Sequence, residues 1–181
     1  MQDYTLGVLI VLVEKLPIGT NKALLHFMWM LVSGALLAQR GALFPALQAI
    51  ALEPAAVRRA WRAFSKGVWR IEELIQGWRD YVTALPGWEP HAHEGYRPIP
   101  VDITAFWRPQ LKNCPSKHYH PMARRAVPAI IIGMIGDVGH LGEQRLALPR
   151  CLLRVRKHAS NEESLQMDLL RQVGRQLTDT E

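Results

Sequence analysis

The sequence predicts an α+β protein in which a helical domain precedes a small sheet. Three observations support this. Apolar residues recur at helical spacing through the first half, and apolar runs typical of strands begin only after residue 97. Between them, residues 85–96 are rich in proline and glycine, which predicts a linker. We therefore expect a helical domain over residues 1–84 and a second domain over residues 97–181.

Helices are predicted in the first half over residues 20–38, 42–52, 55–65 and 68–83. Thr20 and Asn21 suit an N-cap, and Pro54 suits the first position of the third helix. Residues 23–39 carry no charge, but the run is shorter than the roughly 20 residues of a membrane span. A buried core helix is the favoured interpretation of this run, and a membrane segment is the alternative.

The third helix carries a basic face. Cationic side chains recur along it every four residues, and no acidic residue occurs between Pro54 and the last of them. The set is Arg58, Arg59, Arg62, Lys66 and Arg70. A short helix, a tight turn and a basic amphipathic helix predict a helix-turn-helix. The alternative is a surface helix whose arginines are simply solvated.

Strands are predicted over residues 99–106, 128–138 and 144–155, followed by a helix over residues 161–177. The second strand is a near-continuous apolar run, which is typical of a strand buried on both faces. In the third strand, Pro149 predicts an edge position or a bulge. Ser160 and Glu163 form a capping box that would start the final helix.

One carboxylate, Asp102, lies in the first predicted strand. The segment from Arg97 to Arg125 contains several lysines and arginines and no other acidic residue. Mg²⁺ prefers carboxylate oxygens and often takes substrate phosphates as its other ligands. Asp102 is therefore the candidate catalytic residue and metal ligand. A strand-end aspartate paired with a nearby arginine is the alternative.

Two blocks of the sequence resemble one protein family. Residues 96–139, YRPIPVDITAFWRPQLKNCPSKHYHPMARRAVPAIIIGMIGDVG, resemble the start of the catalytic domain of DDE insertion-sequence transposases. Residues 56–82, AVRRAWRAFSKGVWRIEELIQGWRDYV, resemble the helical domain that precedes it. The resemblance implies an RNase H-like fold and two divalent metal ions, Mg²⁺ or Mn²⁺. It also implies three carboxylates in the order Asp, Asp, Glu, of which Asp102 matches the first.

The resemblance implies a truncated catalytic domain of three strands and one helix, because no later residue matches the second or third carboxylate. We then expect weak metal binding and no activity from this chain alone. The partner would be the DNA of transposon ends, and a second copy or a missing C-terminal part would be a further partner. The approach to the metal site would be lined by Arg108, Lys112, Lys117, Arg124 and Arg125. The alternative function is a non-catalytic DNA-binding remnant or a regulator of transposition.

Net charge and cysteine content indicate the kind of partner and the cellular location to expect. The net charge of +6 and the pI of about 9.7 favour a polyanionic partner. Two cysteines, Cys114 and Cys151, do not form a disulfide framework, which favours a reducing cytoplasmic location without a membrane. The apolar run of residues 6–13 lacks the flanking features of a signal peptide. Cys114 with His118 and His120 does not have the spacing of a structural zinc site.

Overall fold

The computed structural model describes residues 2–16, 20–39, 42–114, 116–155 and 162–178. It divides into two compact units, Met1–Tyr81 and Val82–Glu181, called here the helical unit and the sheet unit. The described residues form seven α-helices and an antiparallel sheet of five strands. The α+β class predicted from the sequence is therefore confirmed.

The helices of the first half are α1 Gln2–Glu14, α2 Leu24–Val32, α3 Ala35–Ala38, α4 Leu43–Ala49, α5 Pro54–Lys66 and α6 Ile71–Thr83. The segment predicted as one helix over residues 20–38 is divided. It begins as a 3-10 turn, Thr20–Ala23, and breaks after Ser33 at Gly34, whose φ is +77°. Glycine adopts this left-handed conformation without steric cost, so the chain can change direction there.

Small side chains let the helices of this unit approach closely. Ala46, Ala60 and Ala63 are fully buried beside Met30 and Leu47. The rings of Phe27 and Phe64 stack at a centroid distance of 4.1 Å. The burial of alanine on α5 explains why the larger residues of that helix, Trp61 and Phe64, lie toward its flanks rather than at the centre of the core.

The sheet is built around one long strand. The strands are β1 Trp88–Pro90, β2 Val101–Trp107, β3 Lys117–His120, β4 Arg125–Leu141 and β5 Gln144–Arg154, and each of the others pairs with β4. The expectation of three strands was wrong in number. The short strands β1 and β3 were missed, and β1 lies within residues 85–96, the segment expected to be a linker. Runs of three and four residues carry too little periodicity to be recognised in a sequence.

Helix α7, Glu162–Thr178, covers one face of the sheet. Leu165 and Leu169 of α7 pack on Ile131 and Ile135 of β4, and all four side chains are buried. Gly133 lies between these two isoleucines, where an added Cβ would approach Leu165 Cδ2 to 3.3 Å. The predicted capping residue Ser160 lies outside the described residues.

The pairing of β4 fixes which side chains share a face. Residues 132–135 of β4 pair with β2 and also with β5, so these two strands flank β4 on opposite sides. A register shift at Ile135 and Gly136 lies opposite Pro149 and Arg150, which confirms the bulge expected from Pro149. No described helix is long and apolar enough to cross a membrane.

Candidate nucleic-acid interface

Helix α5 places its cations on the side opposite its buried face. Pro54 occupies the first turn, where its missing N–H costs nothing. At the other end, the carbonyl of Ala63 accepts two hydrogen bonds, one from the indole Nε1 of Trp69 at 3.0 Å and one from the backbone N–H of Gly67 at 3.1 Å. Because Ala60 and Ala63 are fully buried, the orientation of the helix is fixed and its other side is held toward solvent.

Four predicted cations form one exposed row, here called the α5 surface. Arg58, Arg59, Arg62 and Lys66 are all exposed, and with Ser65 and Trp61 they line an open depression of about 560 Å³. No acidic side chain lines this depression among the described residues. The α5 surface is therefore a concave, cationic strip with one aromatic side chain beside it.

Arg70 lies apart from this row. It follows Gly67 in the connection between α5 and α6, and its carbonyl accepts the backbone N–H of Leu74 at 3.2 Å. Its side chain is exposed. The four-residue period that grouped Arg70 with the α5 cations does not hold, because the helix ends at Lys66.

Trp61 borders the cationic surface, which the sequence pattern did not indicate. Helical spacing alone would put Val57, Trp61, Phe64 and Val68 on one core face, but Phe64 is 38% exposed and Val68 is 60% exposed. Trp61 contacts the ring of Phe44 at 5.4 Å and lines the basic depression. Arginines on both sides of Trp61, at positions 58, 59 and 62, were the available signal that it borders the polar face.

A four-residue turn, residues 50–53, joins α4 to α5. Ala51 in this turn has φ +60°, a left-handed conformation that is strained for any residue with a Cβ. The amide of Ala51 donates to the carbonyl of Gln48 at 3.0 Å. The connection is as short as the turn of the predicted helix-turn-helix, and that assignment stays a prediction.

A second group of predicted cations comes together in the sheet unit. The amide of Arg108, just after β2, donates to the carbonyl of Pro128 at 2.7 Å, and Lys117 of β3 pairs in register with the same proline. Arg125 opens β4, and Arg124 lies in the turn before it. Lys112 lies in the connection between β2 and β3, and all five side chains are exposed.

Asp102 is exposed on β2, with Met134 as its cross-strand partner. Asp137, three residues beyond Met134 on β4, points to the other face of the sheet because side chains alternate along a strand. There its carboxylate is bound by Arg150, with an Nε to Oδ1 distance of 2.8 Å. Asp102 thus lies on a different face from the carboxylate nearest to it along β4.

The described residues contain no group of three His, Cys, Asp or Glu side chains that could hold a metal ion. A pair of divalent ions acting on a phosphodiester needs several carboxylates around one point. Asp102 provides one carboxylate, and its neighbours Met134 and Thr104 provide none. The residues present around Asp102 therefore do not fit the two-metal site that the family resemblance implies.

The histidines of β3 pack on an indole ring. His118 and His120 alternate with Tyr119, so both lie on one face, at centroid distances of 6.0 Å and 4.7 Å from Trp107. The backbone amide of Ala123 donates to Nδ1 of His120 at 3.3 Å. Cys114 donates its thiol to the carbonyl of Ala129 instead of joining these histidines. Their role in this structure is packing and turn stabilisation.

No protein-family model, curated protein or solved structure matches this chain. The resemblance to DDE transposases therefore stays a prediction, and so do its DNA partner and metal ions. The functional argument rests on the two cationic groups that the structure assembles, one on α5 and one around β3.

Proposed function

We propose that the chain is the DNA-binding portion of a DDE-type transposase and that it holds duplex DNA through the α5 surface. The observation that carries this proposal is the exposed row of Arg58, Arg59, Arg62 and Lys66 on one side of a helix whose other side is fully buried. Such a rigid row of cations next to a four-residue turn suits the second helix of a helix-turn-helix.

The dimensions agree with a DNA groove. An α-helix with its side chains is about 10–12 Å in diameter, and α5 carries its cations over the two turns from Arg58 to Lys66. The major groove of B-DNA is about 12 Å wide and admits an α-helix. Arginine and lysine on such a helix neutralise phosphates and release counterions, so binding should depend strongly on salt. The net charge of +6 adds a favourable long-range field.

The test compares two double variants that remove equal charge from the same unit. Arg58→Ala with Arg62→Ala acts on the α5 surface, whereas Lys15→Ala with Lys22→Ala removes two exposed cations that lie outside it. Binding to a labelled duplex is measured by anisotropy across a salt series. If both arginines contact phosphates, the first pair lowers the slope of log K against log salt by about 2, at roughly 0.9 per contact.

The lysine pair should leave that slope close to the wild-type value. Equal slopes for the two double variants would mean that the chain attracts DNA only by its overall charge. Absence of duplex binding at low salt would reject the proposed function altogether.

A non-catalytic DNA-binding protein, such as a regulator of transposition, is the second candidate. The observation that favours it is the isolation of Asp102 from other carboxylates among the described residues. Under this proposal the chain leaves a supercoiled plasmid intact when it is incubated with Mg²⁺ or Mn²⁺. Nicking that is lost in Asp102→Asn would instead support catalysis by the chain.

A further inference from the structure

The hairpin of β3 and β4 is a cationic surface that also displays an aromatic ring. No acidic residue occurs between residues 103 and 136, a segment that includes all of β3 and the first half of β4. Three of its cations belong to the hairpin itself, namely Lys117, Arg124 and Arg125. Tyr119 of β3 is 56% exposed. The hairpin thus combines positive charge with an apolar ring that water reaches.

The strand register separates the two faces of the hairpin. His118 and His120 turn toward Trp107, so Lys117 and Tyr119 must point to the other face. There they are two residues apart, or about 7 Å along the strand. The cross-strand partner of Tyr119 is Ala126, which is exposed and has only a methyl group. No bulky side chain therefore lies directly opposite the phenol ring.

The hairpin is held in one conformation by contacts on its opposite side. The indole Nε1 of Trp107 donates to the carbonyl of Tyr119 at 3.2 Å, and His120 accepts an amide from the turn. The turn closes through a bond from the Arg124 amide to the Pro121 carbonyl, also 3.2 Å. Arg124 has φ +49°, where glycine would be unstrained. Its position keeps a cation at the tip of the hairpin.

From this arrangement we propose that the β3–β4 hairpin binds single-stranded DNA, with one unpaired base stacked on Tyr119 and neighbouring phosphates held by Lys117 on the same face and by Arg124 at the tip. Sequence-tolerant binding of single strands combines these two elements, a cationic track and an exposed aromatic ring. A duplex offers no base face for stacking on Tyr119, because its bases are already stacked on one another. The hairpin therefore has a different ligand from the α5 surface.

The experiment uses the full chain and two single-stranded probes of equal length. One is a labelled oligothymidylate, and the other is an abasic strand that has the same phosphates but no bases. Because stacking on an aromatic ring contributes to the binding of each base, Tyr119→Ala should weaken oligothymidylate binding by about tenfold or more. The same variant should bind the abasic strand as tightly as the wild-type chain does.

Two further variants separate the ring from the hairpin as a whole. Tyr119→Phe keeps the ring and should retain the affinity for oligothymidylate. Met122→Ala removes a side chain that is 90% exposed in the same hairpin, and it should change neither probe. Equal weakening of both probes by Tyr119→Ala, or no weakening of either, would overturn the proposal, as would failure of the wild-type chain to bind oligothymidylate.

This inference is distinguishable from the proposed duplex function. Arg58→Ala with Arg62→Ala should weaken duplex binding while the difference between the Tyr119 variants on oligothymidylate remains. If that double variant abolished the tyrosine effect as well, single strands would be bound at the α5 surface and the hairpin proposal would be rejected.

Discussion

The helical unit and the sheet unit present their cations on different scaffolds. In the helical unit the charged row lies on α5, where buried Ala60 and Ala63 anchor the helix from behind. In the sheet unit the charges lie on a hairpin and its flanking connections, next to the exposed ring of Tyr119. A helix repeats one charge at each turn, whereas a strand alternates two kinds of side chain. The first suits a regular duplex backbone and the second suits a strand whose bases are free.

The two units also differ in how their cores are closed. The helical unit buries small residues of several helices against one another, among them Ala46 and Ala60. Among the described residues, the sheet unit has one covering helix, α7, and a smaller buried cluster in which Leu165 and Leu169 pack on Ile131 and Ile135. The sheet core therefore depends on fewer residues. Each substitution in it should remove a larger share of that unit's packing.

The largest expected effect comes from truncating one leucine in each core. Leu169 and Leu47 are both fully buried, and leucine to alanine in a core costs about 2–5 kcal/mol. Leu169→Ala should speed amide exchange in β2, β4 and β5, whereas Leu47→Ala should speed it in α2, α4 and α5. Amide exchange is measured by mass spectrometry. If either variant speeds exchange equally in both units, the two units are not packed separately.

Glycine to alanine should have opposite effects in the two units. An added Cβ at Gly133 would meet Leu169 and come within 3.2 Å of its Cγ, and overpacking costs about 1–3 kcal/mol. At Gly77 in α6 the nearest atom would be Lys15 Cδ at 3.7 Å, an ordinary contact. Gly77→Ala should therefore stabilise the helix by up to about 1 kcal/mol. Chemical denaturation gives the free energy of unfolding of both variants. A lower free energy of unfolding in Gly77→Ala would show that the two glycines do not differ in this way.

A smaller effect is expected in the turn before α5. Ala51 has φ +60°, and a left-handed residue with a Cβ costs roughly 1–2 kcal/mol. Ala51→Gly should remove much of that strain and raise the unfolding midpoint. Ala49→Gly, two residues earlier at the end of α4, should instead lower stability by up to about 1 kcal/mol. Matching signs for these two variants would show that the turn is not strained.

The smallest effect is a pH dependence of the sheet unit. Partial desolvation lowers the pKa of His91, and the nearby Arg145, His140 and His93 lower this pKa further. The unfolded state then takes up the proton first, as pH falls through about 6.5, so the folded state loses stability in acid. The loss is complete only below the folded-state pKa. In His91→Gln, the difference between unfolding midpoints measured above and below this pH should shrink, and an unchanged difference would exclude His91 as a cause.

Local signals in the sequence were sufficient for the long elements. Pro54 and the basic repeat predicted α5 to within one residue at each end, and the apolar run that begins at Pro128 predicted most of β4. The change from helical to strand periodicity predicted the α+β class. Each of these depends on neighbours in the chain, since propensity and periodicity act over a few residues.

Only the tertiary structure decided which side chains meet. It separated Arg70 from the α5 row and placed Trp61 beside that row. It put Asp102 and Asp137 on opposite faces of the sheet and paired Tyr119 with Ala126. The short strands β1 and β3 also exist only through their pairing with β4. Strand pairing and burial join residues that are distant along the chain, so local sequence patterns do not specify them.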